Sequence, residues 1–268
     1  MPTAKAPSRK PAAKGRKAPK SAKERLAFPE VMRELEKSGS AQTRKTYLRH
    51  GAAEPMFGVS FATLSQLRKR IGVDHDLAVQ LFDTGNFDAQ NLAMKIADPA
   101  RMSAADLDRW AGRYQVRMCS AYIASLAAEG PHAVPKVKQW LGSSKEPERI
   151  LAWGLVCQMA SRDEATPDAW FAERLSEIER TIRSAPNWER YAMNTAVISI
   201  GGRSPALRKA ALAAAKRIGT VEVDHGDTSC QTPAAGPYIE KLWTWAESKK
   251  FPSPAAQERA RQSPRVRC

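Results

Sequence analysis

From Phe28 onward the apolar residues recur at intervals of three or four: Val31 and Leu35, then Leu64, Leu67 and Ile71, then Leu77 and Leu81, then Leu92 and Ile96. That spacing lays successive apolar side chains along one face of an α-helix. No pair of alternating segments flanks a hairpin turn, so the pattern predicts an all-α fold. Helix-ending signals keep the segments short: Ser38-Gly39-Ser40, Gly72, Thr84-Gly85-Asn86, Asp98-Pro99, Gly130-Pro131 and Ala185-Pro186. Ser103 and Asp106 have the spacing of a capping box, in which each side chain satisfies a free N–H of the first turn. Thr166 before Pro167, and Ser204 before Pro205, predict an N-cap followed by proline at the first helical position.

About a dozen helices of roughly 9 to 18 residues result, between residues 29 and 249. Taken in pairs they repeat about every 30 to 40 residues, a period at which each antiparallel pair is too small to bury its own apolar side. Stacked pairs complete one another's core, giving a curved solenoid. A compact irregular bundle is the alternative.

Charge is the second constraint. The 268 residues carry 43 Lys plus Arg against 28 Asp plus Glu, a formal net charge of +15, which points to a polyanionic partner. Residues 1–25 hold nine basic side chains and one acid, Glu24, so they contribute +8 and leave +7 for the rest. Set among Ala, Pro, Ser and Gly, they are expected to be a disordered arm that follows phosphates. A solubilising tail and a mitochondrial presequence are the alternatives, the prolines arguing against the amphipathic helix that a presequence needs. No stretch approaches 18 apolar residues and the N-terminus lacks the apolar centre of a signal peptide, so no membrane association is expected. Cys119, Cys157, Cys230 and Cys268 lack CxxC spacing, which indicates neither a disulfide framework nor a zinc finger. A cytoplasmic, nucleoid-associated protein is expected.

Two stretches are more particular than generic helix. One runs from Tyr47-Leu48-Arg49-His50-Gly51 through Glu54-Pro55-Met56-Phe57-Gly58-Val59-Ser60 to Asp74-His75-Asp76-Leu77-Ala78, Leu81-Phe82-Asp83-Thr84-Gly85 and Ile96-Ala97-Asp98-Pro99. The other is Val223-Asp224-His225-Gly226-Asp227-Thr228-Ser229-Cys230-Gln231-Thr232-Pro233, leading to Tyr238-Ile239. In these stretches the sequence resembles the DNA alkylation repair family of HEAT-like-repeat proteins, some of which are glycosylases excising methylated purines. The resemblance implies a C-shaped solenoid over residues 28–250, with a basic concave face that holds duplex DNA, alkylated duplex included, by its phosphates. Phosphate contacts position a protein without specifying sequence, as suits a survey of damage or DNA shape. Residues 1–27 are then the basic arm and 251–268 a flexible C-terminal tail.

The resemblance also implies a catalytic set: a Trp and an Asp four residues apart on one helix, an Arg on a later helix, and a second Trp further on. The carboxylate stabilises a cationic sugar or guides water, the aromatic faces hold a cationic base, and the Arg grips phosphate. In this sequence those positions fall on Val116, Ser120, Ile150 (with Arg149 one residue away) and Thr195. Neither Val116 nor Ser120 can perform the matching role; a register shifted by one residue restores Arg149 but no acid, since none lies between Tyr114 and Ala128. The expectation is therefore a DNA-binding protein without confident catalytic residues and without a cofactor, acting as a monomer. An active glycosylase using Asp74 or Asp76 instead, and a protein-interaction scaffold, are the rival readings.

For the DNA contact, Arg68, Lys69, Arg70, Arg113, Arg117, Arg149, Arg190 and Arg203 are the basic candidates. Trp188, beside Arg190 at a helix start, is the aromatic one among seven tryptophans that otherwise read as core wedges. Asp224, His225 and Cys230 could ligate a metal but supply at most two or three ligands, so a hydrogen-bonded brace for their loop is the favoured reading. Asp74-His75-Asp76 reads as helix capping.

Overall fold

A computed structural model of the chain describes residues 26–114 and 117–267, residues 117–119 by their backbone alone. The arm over residues 1–25, Val116 and the side chain of Arg117 lie outside the described residues. The helices are α1 (Phe28–Lys37), α2 (Ala41–Arg49), α3 (Phe61–Ile71), α4 (His75–Asp83), α5 (Phe87–Ile96), α6 (Ala104–Ala111), α7 (Arg117–Glu129) and α8 (Ala133–Leu141). They continue as α9 (Glu146–Arg162), α10 (Asp168–Thr181), α11 (Asn187–Gly201), α12 (Pro205–Ile218), α13 (Ala235–Ser248), α14 (Pro254–Arg259) and α15 (Pro264–Arg267). Among the described residues there is no strand, only an isolated bridge between Gly39 and Val59. No helix there is long and apolar enough to cross a membrane.

The helices form two layers. In one, α5, α7, α9 and α11 pack side by side in succession, with α13 continuing the row on α11. In the other, α4, α8 and α12 pack mainly on their sequence neighbours, and only α10 and α12 pack closely across the layer. A stack that is tighter on one side bends toward that side, so the α5–α13 row lines the hollow of a superhelix.

Local chemistry sets the helix starts. Ser40, Ser60, Asp74, Asn86, Ser103, Ser204 and Ser253 each accept a backbone N–H of the first turn. Ser103 and Asp106 complete the capping box. Thr166 does not cap α10. Its hydroxyl donates to Asp163, and Pro167 occupies the cap position without a side-chain bond. Asp163 also accepts the Ala165 N–H, at 2.8 Å.

The particular stretch after Gly51 is held by one buried carboxylate. Asp88, on α5, accepts the backbone N–H groups of Phe57 at 2.6 Å, Gly58 at 2.9 Å and Val59 at 2.9 Å. Burial pushes this carboxyl above its usual range, and the three donors oppose that shift. Gly58 is required there: its φ is +81°, and a Cβ would lie 2.6 Å from the Ser40 carbonyl oxygen.

Trp110, Trp140, Trp153 and Trp243 are buried wedges, Trp110 stacking on Phe82 with ring centroids 4.0 Å apart. Each such burial removes a large apolar surface from water and stabilises the fold by roughly 1.5–3 kcal/mol.

Residues 251–267 are not a flexible tail. After α13 the chain turns back and runs along the inner row as a strap, α14 packing on α9 and α13, and α15 on α7 and α5. It crosses the places where inner helices end and leave carbonyls without partners. The Ala255 N–H donates to Gly202 O at 3.0 Å. Arg162, at the end of α9, donates to the carbonyls of Glu258, Arg261 and Gln262. Arg265 is buried and donates to the carbonyls of Met94, Lys95 and Ala97 at the end of α5, while Lys95 Nζ donates back to Arg265 O at 3.0 Å. Arg265 thus supplies the carbonyls at the end of α5, and Arg162 those of the strap itself. At the other boundary, Leu26 already packs against the core, so the folded body begins before residue 28.

Candidate nucleic-acid interface

The inner row carries a cavity of about 310 Å³ between α7, α9, α11 and the connection from α12 to α13. Ser120, Ile150, Thr195 and Trp188 line it together, with Tyr191 and His225. Three sequence-matched positions, drawn from three helices, thus meet at one place. Gly154 allows the helices to approach there, since a Cβ on it would lie 3.2 Å from the Ala124 side chain.

One face of α11 holds the lid of this cavity. Asn187, Arg190 and Asn194 are three or four residues apart and point along the same side. Asn187 donates to the Asp224 carbonyl and accepts the Asp224 N–H, both at 2.8 Å. Arg190 donates to Glu222 O at 3.0 Å, and Asn194 to Pro233 O at 2.9 Å. Within the loop, Asp224 accepts the Gly226 N–H, Thr228 donates to His225 O, and the His225 Nε2 lies 3.0 Å from the Thr232 hydroxyl. His225 meets Trp188 and Tyr191 edge-on, with ring centroids 5.7 and 5.6 Å away. Asp224 and His225 therefore serve as the brace, and among the described residues no group of three metal-ligating side chains forms.

Charge in and around the cavity is already paired. No carboxylate lines it. Arg149 donates from Nε to Glu189 at 2.7 Å and from Nη1 to Leu141 O at 2.6 Å, and the Trp153 indole shares the same Glu189 oxygen. The Glu189 carboxylate holds the Arg149 guanidinium above its usual range. The Cys157 thiol, on the cavity wall, is pushed up to about 11 by burial and so stays protonated at neutral pH.

Residues 31–228 match the family described as DNA alkylation repair enzyme. The chain belongs to the DNA alkylation repair family. Over 222 residues it is 27% identical to Lin0241, an uncharacterised protein of Listeria innocua serovar 6a, and 26% identical to Lmo0209, an uncharacterised protein of Listeria monocytogenes serovar 1/2a. Each alignment covers 81% of this chain and 97% of the relative. A solved structure from a new family of proteins related to the HEAT-like repeat DNA glycosylases, with affinity for branched DNA structures, superposes with a TM-score of 0.76. It is 30% identical, and the match covers 85% of this chain and 97% of that one. The all-α, HEAT-like solenoid is thereby established.

Seen as a member of the DNA alkylation repair family, the chain distributes its basic candidates unevenly. Arg203 is internal. It pairs with Asp168 at 2.9 Å, donates to the carbonyls of Met159, Ala160, Asp163 and Thr166, and stacks over Phe171 at 4.4 Å. Arg190 divides its donors between Glu222 O and Ala185 O, so it too braces the fold, as does Arg149. In these three, backbone carbonyls and the carboxylates of Glu189 and Asp168 take most of the donors, which leaves fewer for phosphate than on the exposed candidates. Arg70 sits in a two-pronged pair with Glu34 at 2.7 and 3.1 Å. Arg113 is exposed with one long contact to Asp83 at 3.5 Å, Lys69 is exposed, and Arg68 is partly so. The lid's hold on α11 escaped sequence reading, although the Asn187, Arg190, Asn194 spacing was a signal for it.

Proposed function

We propose that this protein is a DNA-binding member of its family that grips the DNA backbone and does not excise bases. The observation that carries the reading is the acid-free cavity at Ser120, Ile150 and Thr195. Cleaving a glycosidic bond builds positive charge on the sugar, and without a carboxylate to stabilise it the barrier falls little. The neighbouring Arg149 supports the same reading, since Glu189 and Leu141 O occupy its donors. The rival acids are occupied elsewhere: Asp74 caps α4 by accepting Leu77 N–H, Asp76 pairs with Arg101 at 2.7 Å, and neither lines the cavity.

The affinity of the structural neighbour for branched DNA supports branched duplexes as the ligand class, with Lys69, Arg68 and Arg113 as phosphate contacts on the folded body and residues 1–25 as a further one. The test is base release from duplex DNA carrying methylated purines, with binding to blunt and branched duplexes measured alongside. Release at the uncatalysed rate with binding retained is expected. Robust excision that survives Ser120→Ala and is lost in Asp74→Asn or Asp76→Asn overturns the reading.

A further inference from the structure

The strap and α13 build a second hollow beside the first. About 380 Å³ in volume, it shares Cys157, Tyr191 and Thr195 with the Trp188 cavity, so the two lie side by side. Its far wall is aromatic and cationic. Tyr238 and Trp245 stand two turns apart on one face of α13, about 10 Å along the axis, while Ile239, Trp243 and Ala246 on the adjoining face are buried. At 40% and 42% exposure they are the two exposed aromatic side chains among the described residues.

The charges beside them come from the strap and α9. Glu258 gathers Arg267 at 2.8 Å, Arg261 at 3.1 Å and Arg162 at 4.0 Å, and three cations against one carboxylate leave the cluster at +2. Arg261 lies over the Trp245 ring at 4.5 Å, and Arg162 keeps a buried Nε without a hydrogen-bond partner. Arg261 lies over Trp245 and Lys241 over Tyr238 at 6.0 Å, yet both rings keep about two-fifths of their surface in water, and a net positive rim beside that apolar surface selects an anion. A planar aromatic group joined to a phosphate satisfies both demands.

We propose that this hollow takes an unpaired nucleotide of a branched DNA, its base stacked on Trp245 and Tyr238 and its phosphate at the Arg261 and Arg267 rim. The site deepens the DNA-binding reading and rests on it. It gives a branch an attachment that a continuous duplex lacks, because an unpaired base can enter the hollow and offer a face that pairs inside a duplex keep stacked.

Fluorescence anisotropy of the full chain tests this, with a blunt duplex, the same duplex bearing a short single-stranded thymine flap, and thymidine monophosphate as competitor. The flap probe should bind more tightly than the blunt one. Trp245→Ala and Tyr238→Ala should each weaken flap binding by about 5- to 100-fold while blunt-duplex binding is unchanged, and Trp245→Phe, which keeps a stacking face, should recover most of the loss. The site is overturned if flap and blunt binding fall together, if neither falls, or if excess thymidine monophosphate leaves flap binding unchanged. Failure of the unaltered protein to bind either duplex removes the DNA-binding reading itself, and is told apart from these outcomes by the blunt probe.

Discussion

Asn187 and Asp224, 37 residues apart, exchange two hydrogen bonds of 2.8 Å, the amide of one side chain pairing with the backbone N–H and carbonyl of the other residue. The pair ties the α12–α13 connection across the cavity as one more rung of a ladder would. Asn187→Ala removes both bonds at an exposed site, so the expected loss is about 1–2 kcal/mol of stability. Limited proteolysis should cut within residues 222–233 faster than in the unaltered chain, and an unchanged digestion rate would show that Arg190 and Asn194 hold the loop without it.

Acid should weaken the fold partly through Asp108. Burial alone would raise this carboxyl, but hydrogen bonds from Lys136, Gln139 and Trp140 together hold it below the usual range, with Lys136 itself only 3% exposed. A depressed carboxyl stabilises the native state fully above its unfolded value, about 3.9, and loses that contribution as pH falls through the lower folded value. Denaturation midpoints of the unaltered chain and Asp108→Asn should therefore differ most above about pH 5 and converge below about pH 4. Parallel curves throughout would assign the acid response to other groups.

Release of the strap should be costly. Arg265→Ala removes the donor from three carbonyls at the end of α5 and leaves Glu129 without its 2.9 Å partner. A loss of about 3–5 kcal/mol is expected in urea denaturation, as for one half of a buried pair. Arg265→Lys should recover only part of it, since a single ammonium cannot fork between the carbonyls and Glu129. Removing residues 251–268 should cost at least as much.

The basic arm supplies a salt-sensitive test. With half of its net +8 engaged on phosphates, deleting residues 2–25 should flatten the slope of log K against log salt by about 3–4, at about 0.9 per phosphate. An unchanged slope would leave the arm outside the complex.

The helices were legible because local rules set them. The 3.6-residue period, the Ser103–Asp106 box, Asp74 and Ser204 act within a few residues, and the structure keeps all of them. Ser253-Pro254 repeats the Ser204-Pro205 signal and begins α14, but its Pro-, Gln- and Arg-rich surroundings masked it. What the sequence concealed is non-local. On α5, Asp88, Gln90, Asn91 and Lys95 are all buried, against any amphipathic pattern, because α15 and the Phe57–Val59 segment cover faces that local spacing leaves open. Arg149, Arg190 and Arg203 read as surface cations for the same reason, their acceptors lying up to 44 residues away. The meeting of Ser120, Ile150 and Thr195 was implied by family alignment rather than by spacing, while the lining His225 comes from a loop whose position only the Asn187 brace fixes.

A stack of repeats ordinarily gains and loses units one at a time, since each touches only its neighbours. The bond from Lys95 to Arg265 spans 170 residues and breaks that rule. During synthesis, the rows from α1 to α13 can assemble as they emerge, but the end of α5 stays incomplete until residue 265 has been made. Once joined, the early and late repeats share one fate: opening either end exposes the carbonyls and cations of the other, so the inner row melts as a single cooperative unit rather than fraying inward from its ends.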